Sequence, residues 1–252
     1  MTYGIILCSD LDTNLPNEVS EIFNDVDLIL HPGELKNNNI KNELEKTAKL
    51  IEVKDTDLDN YTFNHKIESS DSNKDNIKIT IVYGDVYPKG ESDDMEKVSE
   101  GDLSQIYSIA EYLDTDILIY GNSSKSSVDM FKDKILITPS FNNEGLSDFS
   151  IMLMDIVGDE LIVKTFEIGK SISTTLNINL LTKEKVKEYS YNNFTVVWNA
   201  KKCIHAGECW RNLPEVFKPA EKPWVKINIK SPDEIKEVID KCPSGALSYK
   251  EN

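Results

Sequence analysis

Residues 203–217 read CIHAGECWRNLPEVF and residues 242–249 read CPSGALSY. Together they hold Cys203, Cys209 and Cys242, three of the chain's 4 cysteines. Thiols in a protein that is not exported stay reduced, so such a grouping points to ligation rather than to disulfides. The stretch before Cys242 explains how that thiol is aimed. Ser231-Pro232-Asp233-Glu234 is a capping-box start with proline at the first helical position, and Ile235, Val238 and Ile239 form the apolar stripe. Cys242 is the next member of that stripe, which turns it inward, and Pro243 and Gly245 then stop the helix.

Around these motifs the chain reads as a small module of residues 191–252. Phe194 to Trp198 is expected as a strand, residues 212–217 as a turn or short helix, Trp224 to Ile229 as a second strand, and Ala246 to Tyr249 as a third. Charge divides the chain at the same place. Residues 1–190 carry 18 basic and 36 acidic side chains, whereas 191–252 carry 10 and 8. Residues 171–190 are polar and weakly patterned and read as a linker, with a short helix around 183–188.

Upstream, apolar runs alternate with helical spacing. Tyr3 to Cys8, Asp27 to Leu30, Leu50 to Val53, Ile77 to Tyr83, Asp116 to Tyr120 and Lys134 to Thr138 read as buried strands. Helices are expected after Pro16 (Val19, Ile22, Phe23) and after the cap Asp102 (Leu103, Ile106, Tyr107, Ala110, Leu113). This alternation predicts an α/β layered module over residues 1–170. Two runs, 149–157 and 161–168, flank Gly158-Asp159 as a hairpin, while 64–76 and 87–101 read as polar loops.

Three thiolates from a C-x5-C loop and a distant Cys-Pro suit a soft iron–sulfur core, either [3Fe-4S] or [4Fe-4S] with a fourth, non-cysteine ligand or an open iron. The glycine and alanine of the loop leave room for backbone N–H groups to approach cluster sulfurs. His205 is an added candidate: a ligand, a donor to sulfur, or an exposed loop histidine. Cys203, His205, Cys209 and Cys242 also make a Cys3His set for zinc, although the spacing differs from the common C-x2–4-C knuckle. A purely structural thiol cluster is the third alternative. Cys8, in an apolar strand, reads as an inert core residue.

NFTVVW, CIHAGECWRNLPEVF, KPWV and CPSGALSY together resemble the divergent mono-cluster ferredoxin-like domain described as [4Fe-4S]-binding, and more loosely the [3Fe-4S] ferredoxins. The resemblance covers about residues 188–250 and implies cluster ligation by Cys203, Cys209 and Cys242. In the ordinary C-x2-C-x2-C loop the middle cysteine would fall at Ala206, which cannot ligate.

The first module resembles the calcineurin-type metallophosphoesterases, in the branch of compact phosphodiesterases that includes a retromer subunit with a weakened metal site. The likeness rests on SDLD, HPGEL, VKDTDLDN, IVYGDVYPKG, DILIYGNSSK and ILITPS. It implies a layered β-sandwich with flanking helices, followed by the small α+β ferredoxin-like domain. Carried over by position, Asp10 matches a metal ligand, Asp12 replaces a histidine and Glu34 replaces the bridging aspartate. Asp55-Thr56-Asp57 stands where Gly-Asn would be. Tyr83 and Asp85 take the places of two histidines, as do Asn122 and Ser124. Asp10, Asp12, Glu34 and Asp85 could still take Mg²⁺ or Mn²⁺. Two-metal catalysis needs a full ligand shell, so a catalytically dead scaffold is expected. His31 reads as a packing or loop histidine, and His65 as a loop residue with no role.

Composition narrows the partners. A net charge of −16 argues against nucleic acid and anionic membranes, and no apolar run approaches the roughly 20 residues of a membrane span. The opening MTYGIILCSD lacks a basic segment and reads as a strand rather than a secretion signal. The expectation is a cytoplasmic iron–sulfur protein that exchanges electrons with a redox partner or senses redox state. A metal-dependent phosphodiesterase regulated by its cluster is the alternative.

Overall fold

The computed structural model describes residues 1–8, 14–53, 60–66, 76–83, 86–88, 95–97, 102–121, 126–140, 150–221 and 223–251. The chain divides into two compact units, Met1–Asp159 with Glu167–Gly169, and Glu160–Phe166 with Lys170–Asn252.

The first unit contains β1 (Thr2–Ile6), α1 (Asn17–Ile22), β2 (Leu28–Pro32), α2 (Asn38–Thr47), β3 (Lys49–Val53), β4 (Asn60–Lys66) and β5 (Asn76–Tyr83). It continues with β6 (Val86–Pro88), β7 (Met95–Lys97), α3 (Leu103–Tyr112), β8 (Ile117–Gly121), β9 (Ser127–Phe131), β10 (Lys134–Thr138) and β11 (Ser150–Val157). Two sheets form its layers, one running β11-β1-β2-β3 and the other β4-β5-β8-β10-β9. β1, β2 and β3 are parallel neighbours, and so are β5, β8 and β10. Their unbroken apolar runs (LILHP, ILIYG) follow from that, because parallel strands are covered on both faces. β2 and β3 pack on β5 across the layers.

Both expected helices form, α1 after Pro16 without a side-chain cap and α3 from a polar one. The Asp102 carboxylate accepts the Ser104 and Gln105 N–H groups at 2.9 and 3.3 Å, starting α3. α2 was not legible in the apolar pattern: only Ile40 and Leu44 are buried, and the Asn37 side chain caps it. His65 is not a loop residue. It lies in β4, its Nδ1 2.9 Å from the Tyr3 hydroxyl. Part of the stretch 87–101 pairs as β6 and β7.

The second unit contains β12 (Glu160–Glu167), β13 (Ile172–Asn179), β14 (Lys185–Tyr191), β15 (Phe194–Asn199), α4 (Glu208–Asn212), α5 (Pro232–Ile239) and β16 (Leu247–Glu251), with strand order β16-β15-β14-β13-β12. Residues 171–190, read as linker, are mostly strand. β13 and β14 pair antiparallel from Ile172↔Tyr191 to Ile178↔Lys185, and the helix expected around 183–188 is replaced by β14. The ladder supplies the order that hydrophobic patterning did not signal, since only Leu176, Ile178 and Tyr189 of these two strands are buried.

The second strand expected at 224–229 is also corrected. Val225 and Ile227 are buried as the alternation requires, but the backbone makes a single bridge, Phe217↔Val225, held by Lys218 N–H to Trp224 O and Lys226 N–H to Val216 O. The turn expected at 212–217 forms over 214–216, closed by Val216 and Phe217 N–H to Leu213 O, and the helix beside it lies earlier, over Glu208–Asn212. α5 begins with the expected capping box between Ser231 and Glu234 and buries Ile235, Val238 and Ile239. Each such side chain removed from water contributes roughly 1.5–3 kcal/mol.

Candidate functional site

The C-x5-C loop runs from a 3-10 turn at Ala200–Lys202 into α4. Two of its residues are left-handed, His205 with φ 55° and Gly207 with φ 80°. Gly207 is required there on two grounds. An L side chain is strained at that φ, and an added Cβ would lie 2.9 Å from Trp210 Nε1 and 3.0 Å from the Arg211 guanidinium carbon. Arg211 ties the loop down by donating to the Ala206 carbonyl at 2.8 Å. At the other side Cys242 follows α5, its N–H donating to Ile239 O at 2.8 Å, and Gly245 (φ 63°) turns the chain into β16.

These elements enclose a cavity of about 300 Å³ whose lining includes Cys203, His205, Cys209, Cys242, Trp198 and Trp224. The three thiols and the histidine read from the sequence are therefore brought together. Cys209 and Cys242 rest on the unit's hydrophobic core. Sequence reasoning missed the aromatic wall. Trp198 and Trp224 meet edge to face at 5.3 Å, and Phe217 lies 5.9 Å from Trp224. Their signal was the tryptophan in each of NFTVVW and KPWV.

Burial pushes the Cys209 thiol up; the Trp210 and Cys209 N–H groups oppose this, and the sulfurs of Cys203 and Cys242 add to the rise. Burial also acts against the Cys242 thiolate, but N–H groups of Leu247, Ser244 and Ala246 and the Ser244 hydroxyl outweigh it, so this thiol is lowered. The Ser244 oxygen accepts the Ala246 N–H at 3.3 Å and stands 3.7 Å from Cys242 Sγ. Three thiolates would repel one another unless a cation lay among them.

The donor set fits an iron–sulfur core on three counts. The donors are soft sulfur, the walls are apolar, and the space among them, about 300 Å³, is many times what a single water occupies. Among the described residues no three His, Cys, Asp or Glu side chains converge to hold a single metal ion.

The family of divergent 4Fe-4S mono-cluster domains matches residues 189–252. The chain is also 37% identical over 67 residues to the uncharacterized protein YjdI of Escherichia coli K12, covering 82% of that protein and 25% of this chain. Its C-terminal part belongs to this family. It is an iron–sulfur domain fused to a metallophosphoesterase-like region. That region is similar to a probable metallophosphoesterase of Methanothermobacter thermautotrophicus, 29% identical over 177 residues that cover 66% of this chain and 94% of the relative. Its fold matches Vps29 of Entamoeba histolytica complexed with Zn²⁺, with a TM-score of 0.51 and 19% identity, over 71% of this chain and 99% of that one.

Of the metal ligands expected in the first unit, Asp10, Asp12 and Asp85 lie outside the described residues, as do Asp55, Thr56, Asp57, Asn122 and Ser124. Glu34 is exposed, just beyond β2. The ends of β2, β5 and β8 meet at Gly121, where a Cβ would lie 2.3 Å from the Pro32 carbonyl oxygen and 2.7 Å from Tyr83 Cδ2. Tyr83, standing in a histidine's place, thus packs over this glycine. His31 is fully buried. Its Nδ1–H donates to Gly33 O at 2.8 Å and its Nε2 accepts the Cys8 N–H at 3.1 Å. Cys8 is buried, and burial pushes its thiol far up.

Proposed function

We propose that the protein is a cytoplasmic electron-transfer or redox-sensing protein in which Cys203, Cys209 and Cys242 hold one iron–sulfur cluster and the phosphoesterase-like unit is a catalytically inactive scaffold. The observation that carries this is the convergence of three thiols on one apolar-walled cavity. A bound cluster supplies a one-electron change. The chain's own residues govern it: the N–H groups around Cys242 stabilise thiolate charge, and Trp198 and Trp224 exclude water. Both act on the reduction potential.

The histidines support the inactive scaffold. His31 spends both ring nitrogens on backbone groups, the His65 Nδ1 is engaged by the Tyr3 hydroxyl and His205 belongs to the cysteine loop, and none of the three stands among the expected metal ligands. The test is anaerobic purification with iron and acid-labile sulfide analysis, then EPR of oxidised and reduced protein. Brown, sulfide-containing protein that loses its colour in Cys242→Ser is expected. Colourless protein from iron-replete, oxygen-free growth, or full colour in that variant, refutes the ligand assignment.

A second reading is favoured by the likeness to a probable metallophosphoesterase along almost that whole relative. The first unit would then use Asp10, Asp12, Glu34 and Asp85 to bind Mg²⁺ or Mn²⁺ and hydrolyse phosphodiesters under control of the cluster. It requires metal-dependent cleavage of an aryl phosphodiester that Asp10→Ala abolishes. Folded protein inert with Mn²⁺, Mg²⁺, Ni²⁺ and Fe²⁺ eliminates it.

A further inference from the structure

Three cysteines serve three irons of a cubane and leave the fourth corner without a protein thiolate. Ala206, where a middle cysteine would stand, lines the same cavity and has nothing to offer but its backbone, whose carbonyl is taken by Arg211. Next to it is His205. It is among the residues that line the cavity, and its Nδ1 lies 4.0 Å from Cys203 Sγ. Its backbone is left-handed (φ 55°), which costs a non-glycine residue roughly 1–2 kcal/mol. Four other non-glycine residues, Asp114, Lys132, Lys183 and Asn192, are left-handed as well, but His205 alone among these five lines the cavity that the cysteines line. Strained conformations of this kind collect at ligand clamps.

We propose that His205 is the fourth protein ligand, completing a Cys3His set around a [4Fe-4S] cluster. The inference rests on the reading that Cys203, Cys209 and Cys242 hold the core. Imidazole in place of thiolate removes one negative charge from the ligand set, which raises the potential relative to an all-cysteine site, the direction seen where histidines replace cysteines on iron.

The experiment uses the full chain, grown with ¹⁴N- or ¹⁵N-histidine, purified without oxygen and examined by pulsed EPR in the reduced state. The expected result is a nitrogen hyperfine coupling of directly bound strength that changes with the isotope and disappears in His205→Ala. In that variant the unprotected iron is lost on mild oxidation, so iron per chain falls by about a quarter and a three-iron signal appears. His205→Cys keeps all the iron without nitrogen coupling, and its potential drops. His205 is exposed, so neither variant threatens folding. Wild-type protein containing iron and sulfide but lacking that coupling overturns the histidine assignment alone. Protein free of iron and sulfide overturns the thiolate reading and this one with it.

Discussion

His31 gives the sharpest quantitative test of the first unit. Burial drives its pKa from 6.5 down to about 4, because the charged ring has no water and its Nε2 must stay unprotonated to accept the Cys8 N–H. The unfolded chain takes up a proton near pH 6.5, while the folded chain refuses it until about pH 4. Stability is therefore intact at neutral pH and is lost as pH falls through that window. At 1.36 kcal/mol per pH unit the full loss is about 3 kcal/mol, and at pH 4.5 about 2.5 kcal/mol has gone. His31→Gln keeps an acceptor for Cys8 and a donor for Gly33 but cannot titrate. At pH 7 the variant is less stable by about 1–2 kcal/mol through imperfect hydrogen bonds. By pH 4.5 that gap closes or reverses. Urea unfolding is followed on the ring proton of His65, which lies in the same unit in both proteins. A gap unchanged within about 0.5 kcal/mol between pH 7 and 4.5, or a His31 signal titrating near 6.5, would refute the reasoning.

Two further outcomes follow from the same geometry. Cys8 is buried with its thiol pushed far up, so in native protein stripped of iron a thiol reagent should modify Cys203, Cys209 and Cys242 and spare Cys8; modification of Cys8 at a comparable rate contradicts its placement. Gly121→Ala forces a methyl against the Pro32 carbonyl and the Tyr83 ring, so it should cost about 1–3 kcal/mol and lower Tm by several degrees. Gly158→Ala, strained at φ 59° but with open space around it, is the control and should cost less.

The strands were legible because burial on both faces writes itself as continuous apolar runs, and β2, β8 and β10 end within two residues of where those runs end. α3 and α5 were legible because each joins an apolar stripe to a polar cap. α2 has its cap in Asn37 but escaped because its stripe is two residues wide, the remaining positions being charged, amide or hydroxyl. β13 and β14 escaped for a different reason. Alternation marks a strand only where one face is buried. These two bury little, and they owe their form to cross-strand hydrogen bonds between residues that carry no hydrophobic signal. At 224–229 the same pattern misled in the opposite direction, since Val225 and Ile227 go inward from a chain that has one bridge and no ladder.

The two candidate sites differed in legibility because their ligands are delivered differently. In the second unit one loop and one helix end supply every sulfur, so short-range spacing already encodes the geometry, and only the handedness at His205 needed coordinates. In the first unit the expected ligands are spread over three strands, Asp10 and Asp12 following β1, Glu34 following β2 and Asp85 following β5, so spacing is free and only the fold can bring the groups together. What the described residues do show at those strand ends is close packing. Pro32, Tyr83 and Gly121 press together, and His31 is sealed behind them in backbone hydrogen bonds. Of these residues Tyr83 stands where a histidine is expected, and its ring is committed to that packing. Restoring a histidine at Tyr83 would consequently have to empty a packed contact before it could bind anything, whereas the sulfur cavity stands preformed.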